Sequence, residues 1–356
     1  MNAIPINGAT SATRHQSARL YWFLPPLAAA LYPLSLVGFH GSVARFMAGG
    51  NAAHWLGAAV CLCLAFFVPM LALWVFAKLM RQPGPTRAEL LARRVALFSV
   101  TAPPLFVLVG VGTFVAGLPK VDFWILAIFW CALAVAIGLA DPNAPADPPK
   151  PLIKPVWRVL HGTVALLFIA GFLALHFSNH LLALISVDMH HAVIEVLRKW
   201  YRTPLGEPLL LAAAAYLVCS GLAMAWRWSE RSSDGFRAFQ VATGVYLSVA
   251  VTSHLQAVFW LARVHMKIPT DWGFAIGAPA GLIVDPWNIR LLPYYALAVA
   301  AVTAHAFAGA RIVLLGHGVS RRRTDALVIW GTAFGLLLMT LITLAMTGMR
   351  LNFSGR

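Results

Sequence analysis

The sequence predicts an all-α membrane protein, a polytopic helix bundle of about nine transmembrane helices, on three observations. Hydrophobic residues make up 60% of the 356 and charged ones 11%, which leaves too little polar surface for a soluble fold of this length. Apolar stretches of about 20 residues recur along the chain, each long enough at ~1.5 Å per helical residue to cross a ~30 Å hydrocarbon core. Lys and Arg alternate between rich and poor connections, as the positive-inside bias of membrane proteins requires. Soluble enzyme, disordered regulator and disulfide scaffold are thereby set aside. The net charge of +15 does not point to nucleic acid, because the basic residues form short clusters between apolar runs rather than one patch.

Residues 1–19 are polar and hold Arg14 and Arg19 without a compact apolar core, so they are expected to be a cytoplasmic tail rather than a removed signal. The spans follow at 20–38, 54–77, 95–117, 123–140, 158–182, 207–226, 238–262, 291–314 and 325–347. Pro25, Pro26, Pro69, Pro103 and Pro104 stand inside the early ones and imply kinks. With the tail inside, seventeen of the 27 Lys and Arg fall on the inner side and ten on the outer. This predicts a multi-pass protein of the cell (inner) membrane with a cytoplasmic N-terminus and an extracytoplasmic C-terminus. Cys61, Cys63, Cys131 and Cys219 lie in apolar stretches and read as small buried hydrophobes.

Residues 141–156 include DPNAPADPPKPLIKP, a stiff proline-rich cytoplasmic linker between a four-helix region, 20–140, and a five-helix domain, 157–349. Little in 20–140 suggests chemistry. In the outer connection after the fifth span, Val193, Val196, Leu197 and Trp200 recur at helical spacing among charges, which predicts a helix on the outer membrane face. The connection 263–290, with Trp272 and Trp287, is long enough to cap a site.

Histidines inside the spans are the chemical signal, since an ionisable side chain in lipid is costly unless paired, ligated or turned inward. His176 and His254 stand at matched depth in the outer half, on the fifth and seventh spans. Two imidazoles so placed can take one haem iron from opposite faces. His180 competes with His176, one turn further along the same helix face. His161 and His305 belong to the inner half, either as a second haem pair or as two separate polar residues. His15, His190, His191, His265 and His317 are expected to be solvated.

At these residues the five-helix half resembles the single-chain cytochrome b membrane anchors of succinate:quinone oxidoreductases and fumarate reductases. RVLHGT at 158–163 and FLALHFSN at 172–179 are similar to that family's first helix, SVAVTSHLQAVFW at 248–260 to its third, and AHAFAGARIVLL at 304–315 to its fourth. The resemblance implies haem b ligation by His176 and His254, an inner-haem ligand at His305, and electron exchange with a quinone. It also implies cytoplasmic flavoprotein and iron–sulfur subunits as partners. The sequence departs from the pattern at Leu217, four residues before Gly221, where the family has a histidine. One haem is therefore expected, with His161 able to stand in for a second. Arg198, Arg202, Arg263 and Lys267, at outer span ends, are candidates to face haem propionates or merely to reach headgroups. Ser178, Asn179, His180, Ser253 and Gln256 are the polar neighbours a quinone ring would need.

Two other classes stay open. One is a multi-pass transporter using a buried histidine relay. The other is a cofactor-less membrane assembly or scaffold protein. The chain has no dinucleotide fingerprint, P-loop or cysteine cluster, so oxidation of a soluble substrate would fall to a partner.

Overall fold

The computed structural model describes residues 19–351; Arg14, His15 and most of the expected tail lie outside the described residues. The fold is all-helical. Among the described residues no strand forms, and a lone bridge pairs Thr86 with Pro145. Among the described residues eight helices are long and apolar enough to cross a membrane, and a bent pair raises the number to nine when counted as one broken span. In chain order they are α1 (Leu20–Met47), α2 (Ala52–Met80), the bent pair α3 (Arg87–Ser99) and α4 (Ala102–Val115), then α5 (Asp122–Leu139). The second half comprises α6 (Pro155–Leu182), the short surface helix α7 (Val187–Tyr201), α8 (Gly206–Ser229) and α9 (Gly235–Met266). Two short helices, α10 (Trp272–Ile276) and α11 (Gly281–Val284), precede α12 (Leu291–Gly316) and α13 (Arg321–Met346).

The third expected span is not one helix. α3 and α4 meet at 68° because Pro103 and Pro104 lack the N–H groups of a continuing ladder and their rings would strike carbonyls four residues back. α3 starts on a capping box, with Thr86 Oγ1 accepting from Glu89 N and Glu89 accepting from Thr86 N. Pro25, Pro26, Pro33 and Pro69 stay inside unbroken helices. The cysteines also differ from expectation: Cys63, Cys131 and Cys219 are exposed and Cys61 is half-buried. Lipid satisfies an apolar side chain as well as a protein interior does, so apolar character alone does not draw a residue inward in a membrane.

Contacts sort the connections onto two ends of the bundle. At one end Gln82 donates to the Tyr21 hydroxyl, Arg87 N to Ala144 O, Ser233 N to Met80 O and Lys150 N to Glu230. At the other, Arg290 pairs with Asp122 at 2.6 Å, Phe114 meets His265 edge-on, and Leu351 N donates to Leu184 O. Arg19 and Leu351 thus lie at opposite ends, the parity of nine crossings.

One contiguous buried cluster runs through residues on both sides of the 141–156 segment. α9 packs on α8 and α12 but also on α2 and α4. The join is polar at the first end. Arg93, with no exposed surface, donates to the carbonyls of Leu79, Gln82, Ser229 and Arg231. Two of these, Leu79 and Ser229, are carbonyls of the last turns of α2 and α8, past the end of the regular helical ladder, and a cation also suits the negative end of a helix dipole.

Candidate functional site

α6 and α9 each carry a stretch of wider π-helical turn, at Ile169–Leu173 and Gln256–Met266. Such turns shift the register of a helix face and concentrate at functional sites. His176 begins three residues after the first stretch and His254 ends two before the second. Their rings meet edge-on, with centroids 6.2 Å apart at 67°. Phe172, one turn before His176, stacks on its ring at 5.3 Å and 17°. His180 approaches His176 with 3.2 Å between the two Nε2 atoms.

α6 stands off from the remainder of the bundle. No residue from Pro155 to Ser178 is buried, although this helix carries His161 and His176, both half-buried. Its packing partners are α7, α8 and α13, so the His176–His254 pair spans the space between α6 and α9.

His161 and His305 are each engaged separately. His161 Nδ1 lies 2.7 Å from Ser220 Oγ. His305 Nδ1 donates to the Gln240 carbonyl at 3.0 Å, which leaves Nε2 as the lone-pair nitrogen. Gly244 makes room for the His305 ring, since a Cβ there would come within 2.8 Å of His305 Cε1. Leu217, where a fourth ligand would be required, contributes a half-buried aliphatic chain.

The cap formed by α7 and α10 corrects the sequence reading. His190, expected in solvent, is 3% exposed, because α7 turns His190 and Ile194 inward while Val196 and Trp200 face out at 54% and 79%. Of the apolar stripe of α7, Val196 and Trp200 thus face out while Val193 and Leu197 are half-buried. Burial, then the neighbouring His191 and Arg198, pushes the His190 imidazole down to about 4, so it is neutral at pH 7. Trp272, capped in place by Asp271, covers the region: its ring lies 4.7 Å from His190 and 5.8 Å from His180. His180 stacks on His190 at 5.6 Å.

The arginines at this end of the bundle have protein partners. Arg198 and Arg202 donate to the carbonyl and hydroxyl of Thr270, and Arg263 pairs with Glu207 at 2.8 Å. Lys267 closes α9 in a left-handed conformation and is exposed. Of the polar neighbours, Asn179 and Ser253 are buried and Gln256 is half-buried; Asn179 Oδ1, Ser253 Oγ and Gln256 Oε1 have no hydrogen-bond partner. Ser178 is exposed. A cavity of about 360 Å³ lies between α6, α7 and the start of α8, bordered by Phe172, His176, Ile194, Leu197, Tyr201 and Leu209.

Sequence reasoning missed the inward turn of His190, whereas Trp272 was named in the connection expected to cap a site. The spacing of His190 from Ile194, four positions on one helix, was the available signal. Among the described residues no group of three or more His, Cys, Asp or Glu is arranged to hold a metal ion. No protein-family model, curated protein or solved structure matches the chain.

Proposed function

We propose that this protein is a membrane-embedded b-type cytochrome that moves electrons through one haem held by His176 and His254, as a quinone-linked membrane subunit. The observation that carries the reading is the separation of those two rings. An imidazole nitrogen sits about 2 Å from a bound first-row metal and roughly 1 Å from its own ring centre, so two imidazoles on one iron stand about 6 Å apart. The ring centroids are 6.2 Å apart. When bound, the haem would supply one-electron chemistry; the chain supplies the axial imidazoles and the low-dielectric walls that tune it.

Phe172 fixes the His176 ring by stacking. His180, whose Nε2 lies beside that of His176, must give up this contact for His176 to offer the nitrogen to iron. Arg202, at the end of α7, and Arg263, in the last turn of α9, favour propionates on that side of the bundle. His161 and His305, each with Nδ1 engaged and Nε2 uncommitted, are the residues a second haem would use. The charge distribution supports a cytoplasmic N-terminus, with the 141–156 side facing flavoprotein and iron–sulfur partners.

Purified protein from haem-replete cells, reduced with dithionite, is expected to show a b-type alpha band at about one haem per chain, and His176→Ala or His254→Ala removes it. Colourless wild-type protein overturns the reading. The broken α3–α4 crossing would then favour the transporter, because interrupted helices are where transporters place their sites.

A further inference from the structure

At the end of the bundle that carries residues 141–156, the starts of α6 and α9 bring two cations together. Arg158 of α6 is exposed, and its guanidinium bonds to no described residue. Arg237 of α9 is half-buried and lies close enough to Arg158 for the like charges to repel. Asp234, one turn before Arg237, is taken by Arg311 at 3.1 Å and Arg321 at 2.8 Å. Among the described residues no carboxylate pairs with Arg158 or Arg237. An anion between them would offset the repulsion.

Arg237 is already oriented for one. Its guanidinium lies 4.2 Å from the centre of the Trp228 ring, and Nη1 donates to Gln240 Oε1 at 2.6 Å, so Nε and Nη2 stay free. A planar guanidinium fixed in this way suits two oxygens of one phosphate.

Depth and neighbouring surface define the kind of anion. Trp157 and Trp226, both exposed at the same ends of α6 and α8, mark the membrane–water boundary. Gly162 and Ala165 follow Arg158 on one face of α6, one and two turns deeper. A Cβ at Gly162 would meet nothing within 4 Å. A phosphate-binding pair at the boundary, with an open apolar furrow leading inward from it, matches a headgroup with its acyl chains.

We propose that Arg158 and Arg237 hold the phosphate of an anionic glycerophospholipid whose acyl chain lies along α6 at Gly162 and Ala165. The lipid site goes beyond the electron-transfer reading and does not depend on haem at His176 and His254.

The test is native mass spectrometry of the full-length protein, released from detergent micelles after incubation with phosphatidylglycerol or phosphatidylcholine. One phosphatidylglycerol per chain is expected to be retained in preference to phosphatidylcholine. Each arginine at an anionic headgroup is worth about fivefold in affinity, so Arg158→Gln and Arg237→Gln each cut that preference about fivefold. Arg158 has no bond within the chain to lose, and Arg158→Lys keeps most of the preference. Arg87→Gln, at an exposed arginine paired instead with Asp147, leaves it unchanged. Equal retention of the two lipids, or an equal loss in Arg87→Gln, overturns the site. Displacement by inorganic phosphate, but not by chloride of the same ionic strength, assigns the arginines to a free anion and overturns the lipid. Haem is read on the same samples: two haems per chain with one lost in Arg158→Gln gives these arginines to propionates and overturns the lipid. Colourless protein with intact lipid selectivity retires the cytochrome and keeps the lipid site.

Discussion

Asp122 and Arg290 offer the sharpest test of whether the two halves form one body. They stand at the starts of α5 and α12, 2.6 Å apart, with side chains 8% and 9% exposed. Asp122→Ala leaves a desolvated guanidinium without its bonded carboxylate, which costs about 3–5 kcal/mol for buried pairs. Arg290 keeps its bond to the Trp287 carbonyl and its contacts with the Phe106 and Trp287 rings at 4.2 and 4.6 Å. These persist in the variant, so the loss belongs at the lower end, about 3 kcal/mol. At ~2–4 °C per kcal/mol this lowers the melting temperature by roughly 6–12 °C. Asp122→Leu with Arg290→Met removes both charges and keeps the volume, and is expected to recover to within about 1 kcal/mol of wild type, because the cost lies in the orphaned charge. Tryptophan fluorescence melting in detergent reads all three proteins. An Asp122→Ala protein that melts with wild type, or a double variant that melts no higher than the single one, refutes the reasoning.

Two further outcomes are expected. In a background with the four native cysteines replaced by Ala, Lys267→Cys reacts with an impermeant maleimide on intact cells, while Asp147→Cys reacts only after permeabilisation; labelling of both from one side breaks the nine-crossing topology. His190 is held down to about 4, below the ordinary histidine value of about 6.5, mainly by burial. The unfolded chain therefore takes up that proton first, and the stability His190 contributes is full above about pH 6.5 and lost as pH falls towards 4. His190→Phe is expected to flatten the acid side of the melting-temperature profile, and an unchanged profile would count against a buried neutral ring.

The composition and the period of apolar runs by themselves determined the helical class and the places of the crossings. A ~30 Å apolar slab admits few backbone solutions and leaves a long, plain signature in the chain. The same signal could not reveal that Pro103 and Pro104 break a crossing while Pro69 does not, nor that the cysteines face outward, because lipid and protein interior reward the same residue types. Nor could it show that Arg93 and Arg290 tie the two halves together, since their partners stand more than a hundred positions away in Ser229, Arg231 and Asp122. His176 and His254 were legible as residues of matched depth. Their 6.2 Å approach, the π-helical turns beside them, and the inward turn of His190 under Trp272 depend on helix rotation and on where a loop folds back. Those are set by packing between distant segments, and no local pattern in the chain encodes them.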